Sequence, residues 1–171
     1  MAIVMIYSKS PKTLDEKIKY IADKKKNAIF GGYGVSDDPE IAIIEMKLAK
    51  FIYDKYDRRM FLEIVVSFDK YESEHLDVVH LASIAFDVCN VLPQGFQIFY
   101  GIHLNDVYQK HIHFAINTVS CCSQVRKLDI DPDDLIQLKC EISKILMRMG
   151  LKPALFDKTK DLMSSYKDRN I

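Results

Sequence analysis

Three of the five histidines in this chain, His103, His111 and His113, lie in one short segment. If residues 96–104 and 111–120 are strands joined by a short polar loop, the two-residue period of strand side chains places His111, His113 and Asn117 on one face. Antiparallel pairing of His103 with His111 would then bring the three imidazoles together, because opposed Cβ atoms lie about 4.5–5.5 Å apart. This pattern predicts a divalent metal site on one surface of a sheet.

The spacing of the histidines does not choose the metal. Imidazole nitrogen suits Mn, Fe, Co, Ni, Cu and Zn, whereas Mg requires water and phosphate oxygens to complete its shell. The alternative is a group of sheet histidines that only hydrogen-bond one another or a buried polar group. A third histidine on the same face favours the metal site.

Composition predicts one globular domain. The chain has 171 residues, of which 49% are hydrophobic and 28% charged, which is enough for one sizeable core. A formal net charge of zero argues against a strongly basic nucleic-acid binder, although a local lysine cluster can still bind phosphate. The four cysteines show no Cys-x-x-Cys spacing, and the chain has neither a signal peptide nor an apolar run of about 18 residues. We therefore expect reduced thiols and a cytoplasmic location.

The first helix is predicted to begin at Thr13, where Glu16 completes a capping-box pattern. Tyr20 lies off the apolar stripe of this helix. Lys17 and Lys24 flank it at helical spacing, which predicts a solvent-facing surface shared by one phenol and two ammonium groups. The buried stripe is formed by Leu14, Ile18 and Ile21.

Other apolar patterns complete the prediction of the fold. A second helix begins near residue 37, a strand spans 60–68 with Glu63 on its less apolar face, a third helix spans 73–91, and a last helix begins near 131. Strands alternating with helices before an antiparallel hairpin predict an α+β fold with helices covering a mainly antiparallel sheet. We expect one domain over residues 1–150, and a tail or the start of a further segment over 151–171. The predicted inward residues are Ile41, Ile44, Leu48 and Ile52 in the second helix, Leu76, Val79, Ser83 and Phe86 in the third, and Leu135, Leu138, Ile142, Ile145, Leu146 and Met149 in the last.

The histidine segment resembles the signature of HUH-type endonucleases, and within them the relaxases of the mobilisation-nuclease family of plasmids and conjugative transposons. Their pattern is His, then Asp, then His-x-His-x-x-x-Asn. It is matched in order by His103, Asp106, His111, His113 and Asn117. Asp106 follows His103 by three residues, where the family has two.

The resemblance implies a five-stranded antiparallel sheet over roughly residues 2–150 and a nucleophilic tyrosine in the first helix. The family motif Leu-x-x-x-Ile-x-Tyr-Ile, followed shortly by Lys, assigns that role to Tyr20. It implies a divalent ion, Mn or Mg, on the three histidines and a 5′-phosphotyrosyl intermediate on single-stranded DNA. Asp106 would accept the phenolic proton or orient a histidine. Where the family usually has a further histidine, this chain has Glu63, which is either an additional ligand or a solvent-facing residue. Asn117 is a second candidate for an additional ligand.

The expected partners are single-stranded DNA at a transfer origin and accessory mobilisation proteins. The basic residues expected to contact DNA are Lys17, Lys24, Lys25, Lys26, Arg58 and Arg59. Two alternatives remain open. One is an HUH rolling-circle initiator or transposase, and the other is a single-stranded-DNA-binding accessory domain that does not cleave. Tyr108, in the loop between the histidine strands, is the strongest rival nucleophile.

Overall fold

The computed structural model describes residues 1–7, 13–26, 28–53, 61–106, 109–121, 128 and 131–156. The strands are β1 (Ile3–Tyr7), β2 (Ile29–Tyr33), β3 (Phe61–Ser67), β4 (Phe96–His103), β5 (His111–Ser120) and β6 (Leu155–Phe156). The helices are α1 (Leu14–Ile21), α2 (Pro39–Ile52), α3 (Lys70–His75), α4 (Val78–Val91) and α5 (Pro132–Arg148), and Lys24–Lys26 form one 3₁₀ turn.

The strands form one sheet in the order β2-β4-β5-β3-β1-β6. The first five strands are antiparallel to their neighbours, which confirms the predicted α+β fold. The short strand β6 pairs in parallel with β1. It lies beyond residue 150, as does buried Ala154, whose N–H donates to Ser143 Oγ at 3.1 Å. The packed part of the chain therefore continues past the predicted boundary at 150.

Helices cover both faces of the sheet, so its central strands are buried on both sides. On one face α4 and α5 pack on an apolar layer that includes Ile112 and Phe114. On the other face α1 and α2 pack around Phe99 and Ala115. In the part of the chain that the structure describes, no helix is long and apolar enough to cross a bilayer.

The hairpin of β4 and β5 has the predicted register. His103 pairs with His111, and Gly101 pairs with His113. Alternation then places Ile112 and Phe114 under α4 and α5, and the histidines on the face that carries α1. A shift of one residue would move the imidazoles into the apolar layer, so the burial of that layer specifies the register.

The inward face of α2 differs from the prediction. Ile44, which was predicted to be buried, is 63% exposed, and the core side of the helix instead carries Met46 and Lys50. Lys50 Nζ donates to Thr118 Oγ1 at 2.7 Å, and the Met46 carbonyl accepts from Asn117 Nδ2 at 3.0 Å. Because α2 is apolar around much of its circumference, these polar contacts with β5 select its rotation. The other exposed residues of the predicted face are Ile41, Leu48 and Ile52.

The helix predicted over 73–91 is two helices. It breaks after His75, and Asp77 caps the second part by accepting a hydrogen bond from the His80 N–H at 2.9 Å. The helical period starts again after the break. Val79, Ser83 and Phe86, which were predicted to be buried, are therefore exposed. The buried side of α4 consists of Leu81, Ile84, Ala85, Val88 and Cys89.

Candidate active site

Three imidazoles converge at the end of β4 and the start of β5. One ring nitrogen from each of His103, His111 and His113 can be chosen so that all lie within 4.8 Å of one another. His103 Nδ1 and His111 Nε2 are 3.1 Å apart. We call these three side chains the histidine cradle. Its geometry is the one that the strand pattern predicted.

The second nitrogen of each ring faces a hydrogen-bond acceptor. His103 Nε2 is 3.1 Å from the Ile21 carbonyl, His111 Nδ1 is 2.8 Å from the Gln109 carbonyl, and His113 Nδ1 is 3.1 Å from Glu63 Oε1. Carbonyl and carboxylate oxygens only accept, so these outer nitrogens carry the protons. In neutral rings, the inner nitrogens of the cradle then present lone pairs to one another.

This arrangement fits a divalent cation. The inner nitrogens of His103 and His111 lie at hydrogen-bond distance from each other, and His113 Nε2 is buried with no hydrogen-bond partner among the described residues. A buried polar atom without a partner is costly, and metal-ligating histidines characteristically donate their other N–H to a carbonyl or carboxylate. Imidazole nitrogens suit ions from Mn to Zn better than they suit Mg.

Burial keeps two of these rings neutral. It lowers the pKa of His103 to about 4, and the neighbouring His113 contributes in the same direction. Burial also lowers the pKa of His113 to about 4. Both rings therefore offer lone pairs at neutral pH.

Glu63 is buried behind His113, with 7% of its surface exposed, so the prediction of a solvent-facing residue is wrong. It also lies outside the group of three converging ligands. Its carboxylate accepts from His113 and forms an ion pair with Lys17. Burial raises the pKa of Glu63, but the hydrogen bonds from His113 and Lys17 outweigh that effect and leave the pKa below its usual value. Glu63 thus orients His113.

Lys17 is only 4% exposed, so its predicted place on a solvent-facing surface is wrong. Its ammonium group reaches past Tyr20, 5.0 Å from the ring centroid, to the carboxylate of Glu63 on β3. The helical period does place Lys17 near Tyr20, as predicted. The helical period does not show, however, that the buried carboxylate of Glu63 beneath the helix draws the lysine inward.

Tyr20 is half-buried over the cradle. Its ring makes edge-to-face contacts with His103 and His113, with 5.3 Å between ring centroids in each pair. Lys26 Nζ lies 3.3 Å from the Tyr20 centroid, a cation–π contact. The Lys26 carbonyl accepts from the N–H of Leu104, the residue after β4, which anchors the lysine turn to the sheet. Structure thus brings the predicted nucleophile and the predicted ligands together.

Gly101 allows α1 to approach the cradle closely. A Cβ atom at this position would lie 2.5 Å from Ile21 Cγ2 and 2.6 Å from the Ile21 carbonyl oxygen. Any larger residue would push the end of α1 away from β4 and break the contact of Ile21 with His103. Sequence reasoning missed this role, although a glycine between Tyr100 and Ile102 in a strand is a signal of close approach.

Other predicted site residues lie apart from the cradle. Asn117 shares the face of His113 but is fully buried under α2, where it donates to the Met46 carbonyl and, at 2.9 Å, to Gln97 Oε1. Asp106 is exposed in the loop after β4 and is not among the three converging ligands. The predictions for Tyr108, Arg58 and Arg59 fall outside the described residues.

Comparison with protein families identifies the domain. The family model described as "Relaxase: MobA/VirD2-like, nuclease domain" matches residues 20–151. The chain belongs to this family. A search of curated proteins found no match. The chain is therefore a relaxase nuclease domain, which is the class of enzyme implied by the resemblance of its histidine segment.

Solved relaxase structures share the fold. The MobM relaxase domain bound to pMV158 oriT DNA, in an Mn-bound crystal structure, matches with a TM-score of 0.64 and 13% identity over 90% of each chain. The metal-bound conjugative relaxase TrwC in complex with oriT DNA matches with a TM-score of 0.54 and 15% identity, covering 86% of this chain and 71% of that one.

The cradle predicts a metal-dependent gain in stability. At Mn²⁺ concentrations 100 times the dissociation constant, we expect the parent protein to gain about 2.7 kcal/mol in the free energy of unfolding. The double substitution His111→Ala and His113→Ala removes two of three ligands and should abolish this gain in a thermal-shift experiment. His75→Ala, on the exposed end of α3, is the control. Equal stabilisation of the double variant would place the metal elsewhere.

The lowered pKa values predict a pH dependence in the metal-free protein. Imidazoles in the unfolded chain have pKa values near 6.5, above the value of about 4 for His103 and His113 in the fold. The unfolded state therefore binds more protons between these values, and the free energy of unfolding should fall as the pH falls from 7 to 5. Thermal denaturation in EDTA measures the decline. His113→Gln should make it shallower, and an unchanged decline would contradict the assignment.

Proposed function

We propose that this relaxase domain nicks single-stranded DNA at a transfer origin through attack by Tyr20. The observation that carries the proposal is the contact of the Tyr20 ring with two of the three cradle imidazoles, which brings a nucleophile to a candidate metal centre. The MobM and TrwC structures, bound to oriT DNA in metal-bound forms, support the choice of substrate.

The cradle would hold the cation through His103 Nδ1, His111 Nε2 and His113 Nε2. Manganese is our first candidate, because the similar MobM domain is Mn-bound, and magnesium is the second. A divalent ion held there would supply positive charge to oxygens of the scissile phosphate. The protein holds the three rings in place through the acceptors behind them, so the ligands need no rearrangement when phosphate arrives.

Tyr20 supplies the nucleophilic oxygen. A bond forms between Tyr20 Oη and phosphorus, the bond from phosphorus to the 3′-oxygen breaks, and the leaving oxygen takes a proton to become a 3′-hydroxyl. The phenol loses its own proton, for which Asp106 stays the predicted acceptor. The ammonium group of Lys26 over the ring stabilises the negative charge that develops on the phenol oxygen.

The product would be a 5′-phosphotyrosyl link, which conserves the phosphodiester energy and permits later rejoining of the strand. Lys24 and Lys25 are exposed beside Lys26, in the 3₁₀ turn that follows α1. We assign DNA backbone contacts to these three lysines, and we retain Arg58 and Arg59 as further candidates. The domain would act in the cytoplasm, with accessory mobilisation proteins, during transfer of a plasmid or conjugative transposon.

Tyr20→Phe should abolish covalent attachment while leaving the fold, Mn²⁺ binding and DNA binding unchanged, because only the attacking oxygen is removed. The assay incubates the protein with Mn²⁺ and labelled single-stranded oligonucleotides, and denaturing gels separate the products. The oligonucleotides overlap one another and together cover the DNA that encodes and flanks this chain. Tyr33→Phe is the matched control, since the Tyr33 hydroxyl donates to Asn90 at 3.0 Å, away from the cradle.

Mass spectrometry of the trapped adduct identifies the attacking residue. A nucleotide on Tyr20 supports the assignment, and Tyr108→Phe should still form the adduct. A nucleotide on Tyr108 or on another residue would overturn the role of Tyr20. DNA binding without any adduct would indicate a binding module that does not cleave.

The exposed lysines predict the salt dependence of binding. Each phosphate contact in single-stranded DNA contributes about −0.7 to the slope of log affinity against log salt. Substituting Lys24 and Lys25 by Ala should therefore flatten the slope by about 1.4. Fluorescence anisotropy across a salt series measures it, and Lys144→Ala, which changes an exposed side chain of α5, is the control. An unchanged slope would direct attention to Arg58 and Arg59.

A further inference from the structure

The strongest unassigned feature is a chain of buried polar contacts between the nucleophile helix and the cradle. Lys17 on α1 forms an ion pair with Glu63 on β3, and Glu63 accepts from His113 on β5. All three side chains are less than a tenth exposed. The contacts join residues 46 and 50 positions apart in the chain, so they exist only in the folded protein.

We infer that Lys17 is a positioning residue, which fixes α1 and therefore Tyr20 over the histidine cradle through Glu63, and which does not contact DNA. This inference rests on the proposed role of Tyr20 for its kinetic consequence. Its structural consequence, the pose of the Tyr20 ring against His113, stands without it.

Helix geometry explains why Lys17 would control Tyr20. Residues three apart lie on neighbouring positions of a helix surface, so a rotation of α1 that moves Tyr20 also moves Lys17. The apolar residues of α1, Ile18 among them, pack on the sheet without directional preference. The ion pair is directional, and it fixes α1 at Lys17, about one turn before Tyr20.

A second polar contact holds α1 on the other side of Tyr20. The Ile21 carbonyl accepts from His103 Nε2, one residue after the tyrosine. Tyr20 thus lies between two polar contacts, each of which ends on a cradle histidine directly or through Glu63. In-line attack tolerates little misplacement, and an error of 1 Å can cost about 100-fold in rate. Two directional contacts around one nucleophile meet that requirement.

The burial of Lys17 also separates it from the lysines of the 3₁₀ turn. Lys24 and Lys25 are exposed and can reach a phosphate chain, whereas the ammonium group of Lys17 is enclosed beside a carboxylate. Breaking a buried ion pair by removing one partner destabilises a protein, because the remaining charge is uncompensated. A test of positioning must therefore remove both charges together.

The comparison that isolates the ion pair is the parent protein against Lys17→Met/Glu63→Gln, which leaves neither charge unpaired. Glutamine keeps an oxygen that accepts from His113, so the hydrogen bond to the cradle is retained. Lys19→Met/Glu40→Gln is the matched control, because it removes an exposed ion pair made by the same helix. If Lys17→Met/Glu63→Gln does not fold, Lys17→Gln/Glu63→Gln replaces it in the same comparison.

The first measurement is the nuclear Overhauser effect between the ring protons of Tyr20 and His113 in the metal-free protein. The rings are 5.3 Å apart between centroids, so we expect a signal in the parent and in the Lys19→Met/Glu40→Gln control, and its loss in Lys17→Met/Glu63→Gln. An unchanged signal would overturn the inference, even if the protein melts at a lower temperature. This readout does not depend on DNA cleavage.

The second measurement is the single-turnover rate of adduct formation at saturating Mn²⁺ and oligonucleotide. We expect loss of Lys17 to slow the rate by about tenfold or more, with unchanged DNA affinity and salt slope. An unchanged rate would overturn the inference, as would a flatter salt slope, which would show that Lys17 contacts DNA. If the parent forms no adduct but the ring signal depends on Lys17, the function proposed for Tyr20 fails and the positioning role remains.

Discussion

The structure depends on the convergence of three imidazole lone pairs at one buried point. Two of the inner nitrogens, on His103 and His111, are only 3.1 Å apart, close enough to share one proton or to bind one cation. The acceptors behind the rings hold this arrangement, and they come from α1, β3 and the loop before β5. The cradle can therefore form only after these elements have packed together, so metal affinity and folding are coupled.

The helix α1 contributes to the cradle and carries Tyr20, the proposed nucleophile. Its last carbonyl orients His103, its buried lysine reaches the carboxylate that orients His113, and Tyr20 lies between these contacts. Close approach of the helix requires Gly101, because a side chain there would collide with Ile21. A single rigid element thus sets the distance between the proposed nucleophile and the three imidazoles, which is a more accurate arrangement than a site built on separate loops.

Sequence alone predicted the parts of the site that follow a local period. Alternation in β5 gave the face of His111 and His113, and register followed because the opposite face had to be buried. The capping box at Thr13 and the apolar stripe of α5 were also confirmed. Lys17 and Glu63 were misjudged because charged residues are usually exposed, and their pairing joins elements far apart in the chain. The rotation of α2 depended on polar contacts with β5, which no periodicity encodes.

A net charge of zero is compatible with DNA binding in this fold, since charges differ in what they can reach. Lys17 is buried in an ion pair with Glu63, so this pair contributes little to the field at the surface. Lys24 and Lys25 are exposed, and the neighbouring Lys26 lies over the Tyr20 ring. Positive charge is therefore concentrated where α1 ends beside the cradle. A phosphate chain attracted to that turn would arrive next to Tyr20, the proposed nucleophile, so local placement of charge matters more than its total.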